Sequence, residues 1–296
     1  MTDAVSSDKA VHDEGGMAYL TSLPRKVVTI YIPLAIFIFV LLFPFYWMTV
    51  VAIKPDGELI EQGANPFWVD NPTLDHIRHL LFETSYPHWL WNTMLVATVS
   101  TFLSLFCAVL AAYAIERLRY TGSRYVGMGI FLAYLVPPSI LFIPLSIMVQ
   151  AYGVRDTPLA LILTYPTFLI PFSTWLLMGY FRSIPYELEE CALIDGASRL
   201  QILTKITLPL AVPGLISAGI FAFTLSWNEF IYALTFIDAS ENKTVPVAIV
   251  TELVTGDIYA WGSLMAGALL GSLPVAILYS FFVDHYVSSM TGAVKE

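Results

Sequence analysis

Six long runs without a charged residue or a histidine most constrain the fold of this 296-residue chain. Every run exceeds the roughly 20 residues that an α-helix needs to cross about 30 Å of hydrocarbon. Because backbone amides in lipid must be satisfied within their own segment, we interpret the runs as helices. The expected fold is an all-α membrane protein with six transmembrane helices, at residues 27–53, 89–115, 125–154, 157–181, 206–228 and 258–283.

Composition agrees with this interpretation. Only 12% of the residues are charged and 57% are hydrophobic, whereas soluble chains carry about 25% charged residues. An ordinary soluble domain is therefore excluded. We divide the chain into an N-terminal tail at 1–26, a six-span membrane domain at 27–283 and a C-terminal tail at 284–296.

Lysine and arginine predict the orientation of the helices. If both termini are cytoplasmic, the inner segments hold ten basic residues and the outer segments hold four. Cytoplasmic loops carry the excess of these residues, so this orientation is favoured. The outer four are Lys54, Arg78, Arg155 and Lys243.

The runs lack the residues that a chain would need to drive transport by itself. Ion-coupled carriers place ionisable residues inside their spans, and these runs contain none. No GxxxxGK[ST] sequence that would cradle a nucleotide is present. His76, His79 and His88 are interpreted as solvated or interfacial side chains, so no metal site is expected. Energy must come from another protein, or the chain is passive.

Prolines and glycines indicate where helices bend or approach closely. Pro137, Pro138 and Pro144 are expected to break the third helix, and Pro166 and Pro171 the fourth, where the breaks could line a pathway. The alternative is that proline is common in spanning helices. Gly267 and Gly271 form a GxxxG pair that allows close helix packing.

One polar segment, EECALIDGASRLQILTKITLP at 190–209, stands out in the apolar chain. We predict a short helix at about 185–196, with Ser183 as its N-cap and Gly196 as its stop. Ser198 and Gln201 match a capping box that starts the next helix. A helix of this length cannot span a membrane.

Four acids and no base lie between 187 and 196: Glu187, Glu189, Glu190 and Asp195. Helices that rest on lipid headgroups are instead enriched in lysine and arginine. The acidic composition therefore predicts docking to another protein.

The same segment resembles the EAA loop of ATP-binding-cassette importer permeases. The pattern is E-A-A, three residues, G, nine residues, I-x-L-P, with Cys191 in place of one alanine; its positions here are Glu190, Cys191, Ala192, Gly196, Ile206, Leu208 and Pro209. The flanking SIPYELEE, IDGAS, WNEF, AAYAIERLRYTGSR and VPPSILFIPL are similar to carbohydrate-importer permeases of the maltose, trehalose and glycerol-phosphate type. Within that group the chain resembles the shorter, six-span subunit.

This resemblance implies a machine of several proteins in the bacterial inner membrane. A second permease would form a heterodimer with this chain, two ATPase subunits would dock on the EAA helices, and a periplasmic or lipid-anchored sugar-binding protein would deliver the substrate. The partner ATPase would use ATP and Mg²⁺, the chain itself binding no cofactor and no nucleic acid. The implied docking residues are those of the pattern together with Asp195.

The resemblance also points to residues at the outer face. The loop between the last two helices, about 238–254, would meet the binding protein, with Asp238, Asn242 and Lys243 as candidates by position. Tyr165, Trp227 and Asn228 are candidates for the substrate pathway, because aromatic faces and amides suit hydroxyl-rich ligands. Anchoring at the membrane interface explains Trp227 equally well.

Two other functions stay open at the level of sequence. A permease of the same superfamily could import a cargo other than a sugar, such as amino acids or phosphate. A secondary carrier or channel would need no ATPase, but the absence of charged residues inside the runs and the EAA pattern both weigh against it.

Overall fold

The fold is taken from a computed structural model that describes residues 23–61, 63, 65–255 and 258–292. Most of the predicted N-terminal tail and the last four residues of the C-terminal tail lie outside these ranges. The α-helices are Leu23–Lys26, Ile32–Ile53, Asp56–Ile60, Asp75–Phe82, Tyr86–Tyr113, Ser123–Tyr134, Pro138–Ala151, Pro158–Thr164, Pro166–Ser183, Glu187–Ile194, Arg199–Ile202, Leu208–Leu210, Val212–Trp227, Ile231–Phe236, Val245–Glu252 and Trp261–Gly292. Segments Val27–Tyr31, Ala114–Leu118 and Leu203–Thr207 are π-helical, and Ser240–Asn242 is a 3₁₀ turn.

Within the described residues, four continuous helical segments are long and apolar enough to cross a membrane, and two bent pairs raise the number to six if each pair is one span. We number them spans 1 to 6 in chain order: Val27–Ile53, Tyr86–Leu118, the pair Ser123–Tyr134 and Pro138–Ala151, Pro158–Ser183, the pair Arg199–Leu210 and Val212–Trp227, and Trp261–Phe282. The chain is an α-helical membrane protein.

Prolines produce the sharpest bend, in span 3, where the two halves meet at 94°. Pro137 has an extended backbone (ψ 131°), because a residue that precedes a proline avoids the α region. Helix then restarts at Pro138, whereas Pro144 lies inside that helix. Span 4 differs, since Tyr165 keeps helical angles before Pro166. The expected break at Pro166 therefore does not turn the chain as it does in span 3.

The predicted sixth span, 258–283, agrees with the candidate span Trp261–Phe282 to within three residues, although the helix that contains it has other bounds. Residues Val254–Thr255 pair with Ile258–Tyr259 as a short antiparallel ladder, so the helix begins at Trp261 rather than at 258. Its far end continues to Gly292, past the predicted limit of 283. A run without charged residues shows only how long the apolar segment is. The helix that contains the run can begin after its first residue and can continue into water beyond its last residue.

Small residues hold the centre of the bundle together. Span 2 packs against spans 4 and 5, and the hydroxyl oxygens of Ser100 and Ser226 lie 2.9 Å apart between them. The GxxxG prediction for span 6 is confirmed as a site of close packing. Tyr86 donates a hydrogen bond to the Gly267 carbonyl, and a Cβ added at Gly271 would lie 2.9 Å from Val245.

Span 2 also separates two ends of the molecule. Trp89 near its start and Arg117 near its finish are about 40 Å apart along the helix at 1.5 Å per residue. The loop after span 5 contacts Trp89, whereas the helix Glu187–Ile194 contacts Arg117. We call these the outer end and the acidic end.

Candidate functional site

The acidic helix, Glu187–Ile194, connects span 4 to span 5. Ser183 does not cap it, contrary to the sequence prediction. Span 4 continues through Ser183, whose hydroxyl donates to the Tyr180 carbonyl at 2.8 Å. Span 4 ends there because Ile184 precedes Pro185 and is extended (ψ 127°), as a following proline requires.

The other end of the acidic helix agrees with the prediction. Gly196 has φ +82°, a left-handed conformation in which glycine is the usual C-terminal residue. Its N–H donates to the Leu193 carbonyl at 3.1 Å. The capping box is present as well, with Ser198 Oγ accepting from the Gln201 N–H and Gln201 Oε1 accepting from the Ser198 N–H.

A buried ion pair fixes the acidic helix to the bundle. Glu189 is 1% exposed and Arg117 is 3% exposed, and Arg117 Nε lies 3.2 Å from Glu189 Oε1. The Thr207 hydroxyl donates to the same oxygen at 3.1 Å, and Arg117 Nη2 donates to the Ile184 carbonyl at 2.7 Å. The helix is thus tied to spans 2 and 5 at once.

An aromatic contact reinforces this attachment. The Tyr186 ring, just before the acidic helix, lies 4.4 Å from the Arg117 guanidinium and 4.1 Å from that of Arg119. Cation–π contacts of this kind contribute about 0.5–1 kcal/mol each where exposed. The Tyr186 hydroxyl also donates to the Glu116 carbonyl. These contacts with the end of span 2 and with Arg119, which follows it, therefore orient the start of the acidic helix.

Most of the remaining side chains of the acidic helix are exposed. Of the three acids in this helix only Glu189 turns inward, and it is not one of the residues implied for docking. Glu187, Glu190, Cys191 and Asp195 are exposed. Ile194 is 86% exposed and Leu200 is 67% exposed beside them. Carboxylates around exposed aliphatic side chains are typical of a protein-binding surface.

The rest of the EAA pattern has mixed exposure. Ala192 is half-buried and Gly196 is exposed. Ile206, Leu208 and Pro209 lie in the first half of span 5, before its bend, and Leu208 packs against the core formed by spans 2, 4 and 5. The pattern thus combines an exposed helix with a segment that joins it to the bundle.

The three predicted pathway residues have different surroundings. Tyr165 is buried, and its hydroxyl donates to Glu229 Oε2 at 2.9 Å. Trp227 is buried, and its Nε1 donates to the Gly271 carbonyl at 3.1 Å. Trp227 and the exposed Asn228 line a cavity of about 440 Å³ between spans 1, 5 and 6.

Burial raises the pKa of the Glu229 carboxyl, and hydrogen bonds from the backbone N–H groups of Tyr232 and Ala233 oppose the shift. Both N–H groups belong to the helix that follows Glu229, at 2.8 and 3.1 Å. Glu229 therefore fixes the start of that helix and orients Tyr165. Glu229 was not among the site residues predicted from the sequence, although it stands within the WNEF element.

At the outer end, the loop residues Asp238–Lys243 are held firmly. Asp238 pairs with Arg155 at 3.1 Å, and Asn242 Nδ2 donates to the Asp156 carbonyl at 2.7 Å. Lys243 Nζ donates to Glu252, and this hydrogen bond lowers the pKa of the Glu252 carboxyl. We call Asp238–Lys243 the outer loop.

Asp156 organises the outer loop and was missed by sequence reasoning. Its carboxylate accepts hydrogen bonds from the backbone N–H groups of Asp238 and Ala239, at 2.9 and 2.8 Å. It has φ +59°, a conformation that aspartate and asparagine tolerate better than most residues. The sequence signal for Asp156 was a polar residue that follows Gly153 in the short linker between spans 3 and 4.

The chain is similar to known proteins in sequence and in fold. Residues 104–292 match the family described as "Binding-protein-dependent transport system inner membrane component". The chain belongs to this family. It is 35% identical to the "Inner membrane ABC transporter permease protein YcjP" of Escherichia coli, over 90% of this chain and 95% of that protein. It is 34% identical to the "Trehalose/maltose transport system permease protein MalG" of Thermococcus litoralis, over 86% and 91%.

A solved structure shares the fold. A chain of a bacterial ABC transporter involved in import of the acidic polysaccharide alginate superimposes with a TM-score of 0.75 at 22% identity, covering 90% of this chain and 98% of that one. A second structure of the alginate transporter, in complex with a periplasmic protein that holds an alginate pentasaccharide, gives a TM-score of 0.65. The chain is therefore a transport component of the permease class.

Proposed function

We propose that this chain is a membrane-spanning subunit of an ATP-driven importer for a sugar or sugar derivative. An external binding protein delivers the substrate to the outer end. A separate ATPase, docked on the acidic helix, drives alternation between outward-facing and inward-facing states. The chain itself holds no nucleotide and acts in the bacterial inner membrane.

The attachment of the acidic helix carries this proposal. A helix of this length that is clamped through a buried ion pair moves with spans 2 and 5 when it is pushed. The exposed face of the acidic helix combines Glu187, Glu190 and Asp195 with Ile194 and Leu200. This face suits a cleft that has basic groups at its rim and apolar groups inside. A force applied there reaches the bundle directly.

Sidedness follows from the same assignment. If the ATPase is cytoplasmic, the acidic end is cytoplasmic and so are both termini, in agreement with the distribution of lysine and arginine. The outer loop then faces the periplasm. A binding protein would meet a surface that Arg155 and Asp156 hold in place before contact.

A sugar cargo is supported by the relatives whose names state one. They include permeases for trehalose and maltose, for diacetylchitobiose and for sulfoquinovosyl glycerol, each 34% identical to this chain. We propose a heterodimer with a second permease and two ATPase subunits.

The test of docking uses charge reversal on the exposed face. Glu190→Lys and Gly196→Asp should leave the chain inserted in the membrane but abolish co-purification of the ATPase and substrate uptake. Glu61→Lys, an exposed acid near the outer end, is the matched control and should preserve both. ATPase co-purification at the wild-type level by either test variant would contradict the docking proposal.

The test of cargo uses the assembled transporter in proteoliposomes. Uptake should require the ATPase and the external binding protein, and should be found with a member of a panel of mono- and oligosaccharides. Uptake of an amino acid or of phosphate instead would assign a different cargo class. Uptake by the chain alone would identify a secondary carrier and contradict an ATP-driven mechanism.

A further inference from the structure

A second surface at the acidic end differs in charge from the acidic helix. A cleft of about 370 Å³ lies between spans 2, 3 and 4. Arg119, Arg124 and Arg182 line its rim, with Glu116 as the only acid among the lining residues. Because the chain carries a net charge of −9, a basic cleft is a local exception that the docking proposal does not use.

Among the described residues, one of the three rim arginines is paired with a carboxylate and two are not. Glu116 accepts two hydrogen bonds from Arg182, both at 3.0 Å. Arg119 is exposed and contacts an aromatic ring rather than a carboxylate. Arg124 is exposed, and no ion pair or hydrogen bond of its side chain occurs in the part of the chain that the structure describes. Two cations therefore remain for an anion from outside.

The rest of the cleft lining is mainly apolar. Phe131 and Trp175 line it with ring centroids 4.5 Å apart. Each aromatic residue is seven positions from an arginine of the rim, Phe131 from Arg124 and Trp175 from Arg182. Seven positions are two helical turns, about 10 Å, and return to the same face. With the acidic end at the cytoplasmic boundary, as proposed, the arginines form a cationic mouth and the aromatic pair lies two turns further toward the hydrocarbon.

We propose that this cleft binds one anionic phospholipid of the cytoplasmic leaflet. The phosphate would lie between Arg119 and Arg124, and an acyl chain would run along Phe131 and Trp175. Basic clefts between transmembrane helices on the cytoplasmic side recur as sites for anionic headgroups. An ATPase surface that accepts the acidic helix would carry the wrong charge for this rim. The inference depends on the proposed function only for its leaflet.

The test measures lipid binding to the purified full chain. Native mass spectrometry of the chain, titrated with phosphatidylglycerol or phosphatidylcholine, gives the affinity for each lipid. Wild type should prefer phosphatidylglycerol. Arg124→Gln should bind it about fivefold more weakly, the effect expected for one basic residue near a membrane surface, and Arg124→Lys should bind with an intermediate affinity. Arg124 has no partner in the described chain, so the variant should fold normally.

Arg78→Gln is the matched control, because it removes one exposed arginine at the outer end. Its phosphatidylglycerol affinity should equal that of wild type. Equal affinities for both lipids, or equal losses in Arg124→Gln and Arg78→Gln, would overturn the proposal. Displacement of the lipid by millimolar inorganic phosphate would also overturn it and assign a site for a free anion. No ATPase is present, so failure here is separate from failure of ATPase docking.

Discussion

Removal of the Arg117 guanidinium tests how the acidic helix is held. In Arg117→Met the Glu189 carboxylate stays buried and keeps only the Thr207 hydroxyl as a donor. The Ile184 carbonyl also loses its partner. Removing one member of a buried ion pair costs about 3–5 kcal/mol, because the other charge is left uncompensated.

This cost should fall on the attachment of the acidic helix. At about 1.4 kcal/mol per tenfold change, even the lower value raises the equilibrium constant for local opening by about 10²-fold. Hydrogen exchange of the full chain in nanodiscs measures this constant. The amides of Asp195, Gly196 and Ala197, which are hydrogen-bonded within the turn, should lose protection by that factor or until none remains.

A second variant separates charge from packing. Replacing a buried ion pair by apolar residues of similar volume is often neutral or stabilising, so Arg117→Met combined with Glu189→Met should recover most of the protection. The helix Val245–Glu252 at the outer end is the internal control and should not change. Unchanged exchange in Arg117→Met, a double variant as unprotected as the single one, or an equal loss at Val245–Glu252 would refute the reasoning.

Three further predictions concern other parts of the chain. Burial raises the pKa of Glu229 above its value in the unfolded chain. The contribution of this group to stability is therefore complete below the unfolded pKa and is lost as the pH rises through the folded pKa. In Glu229→Gln this pH dependence should vanish, which melting temperatures measured from pH 4 to 8 would reveal. Asp156→Ala should lose about 1–3 kcal/mol of loop stability through two unpaired N–H groups and a strained φ, whereas Asp156→Asn should lose less; limited proteolysis of the outer loop measures both. Gly214→Ala would place a Cβ 2.3 Å from the Tyr180 ring and should lower the yield of folded protein in detergent, whereas Gly129→Ala, with open space around it, should not.

The helical character of the membrane segments was readable from the sequence because lipid imposes a simple rule. A segment without charge and long enough to cross hydrocarbon must satisfy its own backbone groups, and the six runs correspond to four continuous candidate spans and two bent pairs. Bends were partly readable, since prolines act on their neighbours. Their size was not, because Pro137–Pro138 turns the chain by 94° while Tyr165 stays helical before Pro166.

The sequence predicted the acidic helix correctly at the positions where neighbouring residues determine the backbone conformation. Gly196 and the Ser198–Gln201 box act within a few residues, and both are present. Ser183 failed as a cap because the preceding helix had not yet ended. The inward turn of Glu189 depends on Arg117, which is distant in sequence, so no local pattern could separate it from the three exposed acids. Asp156 was missed for the same reason, since its partners lie in the outer loop.

Cross-linking from Cys191 tests the central claim most directly. This cysteine is exposed on the acidic helix, and Cys107→Ser removes the other one. A photo-activated reagent on Cys191 in the assembled, transport-competent complex should capture the ATPase subunit, and Glu190→Lys should abolish the adduct. A complex that transports substrate while Cys191 captures only lipid would contradict the account.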